Sequence, residues 1–250
     1  MNGKLMVDIR ILNDKEALGA AAADLGAEAI RRAIAEKGKA SIIVATGASQ
    51  FEVLRNLVAA KDIDWSKVTA FHLDEYVGMD IGHPASFRKY LNERFVEPLA
   101  GKVTFYPIDA ESDAHAEAER ISKLISGHEI DVCFAGIGEN CHLAFNDPPA
   151  DFETEEPYIV VTLDEACRKQ QLGEGWFPDL AAVPEQAVSM SIRQIMKSKF
   201  IVLSVPDARK AQAVKDAIEG EVDPRHPASI VQEHTNVVLL LDPTSASLLA

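Results

Sequence analysis

The chain has 250 residues, 47% of them apolar and 26% charged, with a formal net charge of −14 at pH 7. That balance belongs to a globular chain and excludes a disordered or fibrous one. The shortage of Lys and Arg excludes a general nucleic-acid binder, while a small anion held by a local cluster of amides and cations stays compatible with it. The longest apolar runs, such as Val237 to Leu241, are far too short to span a bilayer, so no membrane partner is expected.

Cys133, Cys141 and Cys167 make an odd count with no CxxC pair, which suits a reduced, cytoplasmic setting. Met1 to Asp8 has no basic stretch before a long apolar block, so no signal peptide is expected.

In chain order, Asn13 to Lys37 reads as a long helix, opened by Asn13 or Asp14 and closed near Gly38. Ala40 to Ala45 is a short apolar, β-branched run, the pattern of a buried parallel strand. Gln50 to Ala60 returns to helical spacing, Val68 to Leu73 is strand-like and Ser86 to Leu99 helical. Val103 to Tyr106 reads as a strand, Asp113 to Ser126 as a helix and Ile130 to Ala135 as an apolar strand. Strands follow at Tyr158 to Leu163, Ala187 to Ile192 and Phe200 to Val205, then a helix at Asp207 to Glu219 and a strand at Asn236 to Leu241.

This alternation predicts an α/β fold, a mostly parallel sheet with helices on both faces in a Rossmann-like three-layer sandwich. No linker, repeat or composition break appears, so residues 1–250 read as a single domain. Ligands of such sheets sit outside the carboxyl ends of the strands, which directs attention to the loops after Ala45, Leu73, Ala135 and Val205.

The first loop, Thr46-Gly47-Ala48-Ser49, opens a helix. Gly47 lets the backbone approach an anion, and free N–H groups with hydroxyls could hold a phosphate. A tight strand-to-helix turn with a Ser cap is the equal alternative. The second, Asp74-Glu75-Tyr76, closes a strand, so its adjacent carboxylates point to opposite faces and at most one enters a site. A partly buried carboxylate can abstract a proton from carbon, although a helix cap plus a surface charge is the commoner role of an isolated Asp-Glu.

The third loop, Gly136 to Asp147, is the most informative. After its glycines it presents Asn140, His142 and Asp147 within eight residues, a carboxamide, an imidazole suited to proton transfer and a carboxylate. A metal reading through His142 and Asp147, with His72 or His83, ranks low because no HxxxH or HxH spacing occurs. The fourth patch, Asp207-Ala208-Arg209-Lys210, opens a helix from which Lys210 could reach a phosphate.

At these loops the chain resembles the glucosamine-6-phosphate deaminase/isomerase family. The likeness rests on Ala45-Thr46-Gly47 with Ser49, Leu73 through Gly78, His83-Pro84-Ala85-Ser86-Phe87, Gly136 through Asp147, and Pro227-Ala228-Ser229 before His234. It implies an aldose–ketose isomerase that deaminates a hexosamine 6-phosphate to a ketose 6-phosphate and ammonia, without metal or organic cofactor. Asp74 would move a proton between C2 and C1. His142 would open the pyranose ring, oriented by Asp147 and the residue at 140. The 6-phosphate would sit on Thr46, Gly47, Ala48, Ser49, Gly136 and Lys210, under a lid from His83 to Leu99.

Three residues depart from the family pattern. Asn140 replaces the usual Asp; relatives assigned to galactosamine 6-phosphate also carry Asn there, and Asp at this position is expected to be tolerated. Cys141 replaces Gly and adds bulk beside the site. The phosphate-binding Arg before Tyr158 is missing, with Arg168 or Lys169 as candidate substitutes. A 6-phosphogluconolactonase-like hydrolase and a non-catalytic sugar-phosphate sensor are the competing readings. No face is assignable as an interface, which leaves a homo-oligomer open.

Overall fold

Seven parallel strands make the central layer of the computed structural model, which describes residues 7–250. Met1 to Met6, most of the stretch read for a signal peptide, lie outside the described residues. The strands are β1 (Asp8–Ile11), β2 (Ala40–Val44), β3 (Val68–His72), β4 (Asp74–Tyr76) and β5 (Thr104–Phe105), then β6 (Val132–Ala135), β7 (Tyr158–Thr162), β8 (Gln186–Met190), β9 (Ile201–Val205) and β10 (Val237–Leu241). The central sheet runs β1-β10-β9-β6-β2-β3-β5, and every neighbouring pair is parallel.

Alternation along the inner strands of the central sheet sends side chains to two separate cores. Ile42, Val44, Val132, Phe134, Val202, Val238 and Leu240 face one core. There they meet α1 (Lys15–Lys37) and α2 (Phe51–Val58). Ile43, Cys133, Ala135, Leu203, Leu239 and Leu241 face the other core. The helices α3 (Phe87–Leu91), α4 (Ala114–Ile125), α5 (Glu165–Gly173), α6 (Ile192–Met196) and α7 (Ala211–Glu219) complete the helical set. α4, α6 and α7 pack on that second core. Both faces of the sheet are therefore covered, as the apolar runs require.

Local signals explain where α1 begins and ends. Asp14, rather than Asn13, caps it by accepting the Ala17 N–H, and Gly38 closes it at φ 78°, a left-handed conformation that Gly adopts without a Cβ clash. Two expected helices are remodelled. Ser86 to Leu99 is a short α3 followed by a π-helical turn at Asn92–Val96. The Asp207 to Glu219 helix begins as a 3-10 turn at Ala208–Lys210 before α7.

The strands expected at Tyr158 to Leu163 and Ala187 to Ile192 do not join the parallel sheet. They pair antiparallel as β7 and β8, and β8 pairs with β4, in a separate three-stranded sheet. Short apolar strands look alike in either setting, so the sequence pattern does not separate them. Strands β1 and β4 and helices α5 and α6 add to the elements that the sequence pattern predicts.

Strand order reverses beside β2: the chain runs outward through β3 and β5, then returns to β6 on the other flank. Loops leaving β2 and β6 diverge there, and a crevice opens at their carboxyl ends. No helix among the described residues is long and apolar enough to cross a membrane.

Candidate active site

A cavity of about 360 Å³ fills that crevice. The loops after β2, β3, β6 and β9 all contribute, including Thr46, Gly47, Ala48, Ser49, Asp74, Gly136, His142 and Lys210. Four segments widely separated in sequence thus meet at one end of the sheet.

The β2 loop turns sharply at Gly47, with φ 88°, and enters the 3-10 turn Ala48–Gln50 that precedes α2. Ser49 Oγ accepts a hydrogen bond from Gln50 Nε2 at 3.2 Å. A Cβ on Gly136 would come within 3.2 Å of Ser49 Oγ, so Gly lets the two loops close on each other.

Asp74 and Glu75 point to opposite sides of β4. Asp74 borders the cavity and is only 7% exposed. Burial first, then the neighbouring Glu75 and Glu174 carboxylates, push its pKa up to about 8. Glu75 is fully buried on the other side. It accepts hydrogen bonds from Ser86 Oγ and the Phe87 and Arg88 N–H groups at 2.9–3.2 Å, capping α3. From α3, Phe87 borders the cavity and Tyr90 donates its hydroxyl to Gly47 O at 3.0 Å. The strand carrying Asp74 is thereby tied to the helix that leans on the glycine loop.

His142 lies flat against Gly138. A Cβ on Gly138 would stand 2.2–2.4 Å from three atoms of the ring, so only Gly admits the imidazole there. Asp147 Oδ1 is 3.2 Å from His142 Nδ1, and Asp147 Oδ2 accepts the Asp164 N–H at 2.9 Å. Burial opposes ionisation of Asp147, but the His142 ring, the Asp164 N–H and the Asn140 amide outweigh it and lower its pKa. Asn140 and Asp147 stand behind His142 rather than in the cavity wall.

The Asn140 amide donates to Asp147 Oδ1 at 3.1 Å and to Asp164 Oδ2 at 3.2 Å. Its Oδ1 accepts the His142 N–H at 3.3 Å. A carboxylate at 140 could donate neither of the first two bonds and would crowd three acids together. These bonds oppose the expectation that Asp is tolerated there.

Cys141 adopts φ 70° and Ala144 φ 51°, both left-handed conformations unusual for residues with a Cβ. Gly adopts such a backbone without strain, which fits the Gly that the resemblance leads one to expect at 141. The Cys141 side chain turns away from the cavity, with Sγ 3.5 Å from Ala213 O, so its bulk enters the core under α7 and not the site.

At the other end, Asp207 holds a left-handed φ of 91° and caps the 3-10 turn that presents Lys210. Lys210 borders the cavity and forms no ion pair within 4.0 Å among the described residues. Burial lowers its pKa, against the opposing pull of Glu139 and Glu174. Arg209 also borders the cavity and pairs with Glu139 at 3.1 Å and Asp207 at 3.0 Å.

Neither expected substitute for the missing Arg reaches the cavity. Arg168 donates to Leu180 O and Val183 O at 2.8 and 2.9 Å, tying down the loop after α5. Lys169 pairs with Glu165 on the surface. The cavity cations are instead Lys15, Arg209 and Lys210. Of the histidines weighed for a metal, His72 is engaged with the Ile108 N–H at 2.8 Å. His83 stacks on Phe177 with centroids 5.6 Å apart.

Gln170, Gln171 and Glu174 also line the cavity, from α5 and its C-terminal cap, although they follow none of the four strands. Burial raises the Glu174 pKa, with Lys210, Arg209 and His142 opposing. The one local hint is the Gly173-Glu174-Gly175 triplet, with Gly175 at φ 85°.

Residues 13–240 match the family described as glucosamine-6-phosphate isomerases/6-phosphogluconolactonase. Glucosamine-6-phosphate deaminase of Listeria monocytogenes serotype 4a is 36% identical over 222 residues, covering 89% of this chain and 93% of the relative. The deaminase of Lactobacillus delbrueckii subsp. bulgaricus is 35% identical over 241 residues, covering 96% and 99%. Among solved structures, a monomeric glucosamine-6-phosphate deaminase superposes with TM-score 0.88 at 30% identity, covering 97% of this chain and all of that one. The 6-phosphogluconolactonase of Trypanosoma brucei shares the fold alone, with TM-score 0.81 at 17% identity, covering 98% of this chain and all of that one. The chain belongs to the glucosamine-6-phosphate isomerase/6-phosphogluconolactonase family.

Proposed function

We propose that the chain is a deaminating aldose–ketose isomerase that converts a hexosamine 6-phosphate and water to a ketose 6-phosphate and ammonia. The observation that carries this reading is the pairing, in one cavity, of a buried carboxyl at Asp74 with an imidazole at His142. The Gly47 loop and Lys210 line the same cavity. The identity to deaminases at 35–36% supports the same branch over the lactonases.

In this mechanism the 6-phosphate sits on the N–H groups from Thr46 to Ser49, near Gly136, with Lys210 as counter-charge. His142, oriented by Asp147 and Asn140, shuttles a proton from the sugar's O1 to the ring oxygen, which opens the pyranose. Asp74 then takes the proton from C2 while O1 gains one from the substrate's ammonium group, leaving an enolamine, and Asp74 passes its proton to C1 to give the iminium. Water adds to the resulting imine carbon and ammonia leaves.

A desolvated carboxyl is a stronger base than an exposed one, which suits removal of a carbon-bound proton. The α3 segment, joined to β4 through Glu75 and to the glycine loop through Tyr90, acts as the lid that excludes water. Residues 1–250 work as one domain, because Asp74 comes from the small antiparallel sheet and the other groups from the parallel one. Three buried free thiols suit a cytoplasmic setting.

Ammonia release from glucosamine 6-phosphate and galactosamine 6-phosphate tests the reading, with 6-phosphogluconolactone hydrolysis run alongside. Ammonia from one sugar identifies the epimer. Lactone hydrolysis without ammonia from either sugar overturns the deaminase in favour of the hydrolase.

A further inference from the structure

Behind His142, three donor atoms of different chemistry converge. A ring nitrogen of His142, a carboxylate oxygen of Asp147 and the Sγ of Cys167 all lie within 4.8 Å of one another. His142 and Asp147 belong to the loop after β6, and Cys167 to the first turn of α5. His142 and Cys167 are 7% and 0% exposed.

A hydrogen-bonded His–Asp pair accounts for only part of this arrangement. His142 Nδ1 is 3.2 Å from Asp147 Oδ1, an ion-pair contact whose angle departs from that of a regular hydrogen bond. For bond lengths of about 2.0–2.1 Å, the nitrogen-to-oxygen edge of a tetrahedral zinc site is about 3.3 Å. The observed spacing fits that edge. The thiol adds a soft third donor, and imidazole, carboxylate and thiolate together suit Zn²⁺ or Cd²⁺ rather than Mg²⁺ or Ca²⁺. Water takes the fourth position of such a site.

We infer that His142, Asp147 and Cys167 form a binding site for one soft divalent cation of the zinc and cadmium class. As the metal–sulfur bond forms, the S–H bond of Cys167 breaks and its proton passes to solvent. Asp147 exchanges the Asn140 N–H for the metal, and no electron is transferred. The site stands independently of the deaminase reading, because its test follows the metal and not turnover.

The test is titration of the full chain with Cd²⁺, followed through the ultraviolet charge-transfer absorption of a cadmium–thiolate bond. One Cd²⁺ per chain with that absorption is expected, and Zn²⁺ should erase it. Cys167→Ser should abolish the absorption, while Cys141→Ser should leave it unchanged. Loss of an outer-shell partner alone weakens metal sites ten- to a hundredfold, so losing a ligand in Cys167→Ser or Asp147→Asn should weaken Cd²⁺ at least about tenfold. Asp147→Asn keeps the thiol and the size of the side chain, and thermal melting of both variants establishes that they are folded. No absorption in the unaltered chain, absorption that persists in Cys167→Ser, or unchanged affinity in a folded Asp147→Asn would each overturn the site.

Discussion

The two ends of the cavity are built on different physics. Around Asp74 and His142, side chains are buried, hydrogen-bonded and packed against glycine: Asp74 and His142 are each 7% exposed, and Gly138 leaves room for nothing but the ring. Around Lys210 the wall is a short 3-10 turn, and its neighbour Arg209 is 53% exposed. The first end holds atoms in place and shifts a pKa. The second supplies charge and N–H groups to an anion, which tolerates small displacements. Changes at the first end should therefore act on rate, and changes at the second on binding.

The largest effect is expected from Asp74→Asn, which keeps shape and removes the base. It should lower kcat about 10³-fold while leaving KM nearly unchanged. Equal loss in both would make Asp74 a group that holds substrate.

The same change should raise stability. A carboxyl whose folded pKa lies above its ordinary 3.8, here at about 8, keeps its proton in the folded chain after the unfolded chain has released it. Stability from this group is full below the ordinary carboxylate range and falls as pH climbs toward about 8. Asp74→Asn removes that loss, so at neutral pH its Tm should exceed the parent's by at least about 4 °C.

Next in size is Gly138→Ala, whose methyl would displace the His142 ring. A misplacement of about 1 Å costs roughly 10²-fold in kcat, with stability and KM far less affected. Lys210→Ala should act on the other parameter, raising KM about thirtyfold with kcat within a few-fold. A kcat loss as large as that of Gly138→Ala would erase the division between the two ends. The smallest effect belongs to Asn140→Asp, expected to lower kcat about tenfold by repelling Asp147 and Asp164. Unchanged kcat would show that the amide bridge is dispensable.

How much of this was legible in the sequence differs from element to element. Strands β2, β6, β9 and β10 announce themselves because a strand covered on both faces must be apolar throughout, and all their residues are buried. Helix α1 carries its own start and stop signals at Asp14 and Gly38. The three-residue β4 offers no such pattern, since Asp74-Glu75-Tyr76 becomes a strand only by pairing with β8 far along the chain. Every residue of the edge strand β1 is exposed, and the strand gives no periodic apolar signal.

The same contrast holds for the cavity. Thr46, Gly47, Gly136, His142 and Lys210 follow strands, so the rule for parallel sheets finds them from local pattern alone. Glu174, Gln170 and Gln171 reach the cavity from α5, whose position depends on packing against the small sheet and its own core of Tyr76, Phe145, Cys167 and Phe177. Arg168 illustrates the converse. It is a cation in the expected stretch, but two backbone carbonyls claim it.

The most direct test of the central claim is the pH dependence of kcat/KM for hexosamine 6-phosphate deamination. If the buried Asp74 is the base, kcat/KM should rise with pH and level off above an apparent pKa of about 8. A profile that stays flat from about pH 6 to pH 9, with full activity where Asp74 still holds its proton, would contradict that assignment.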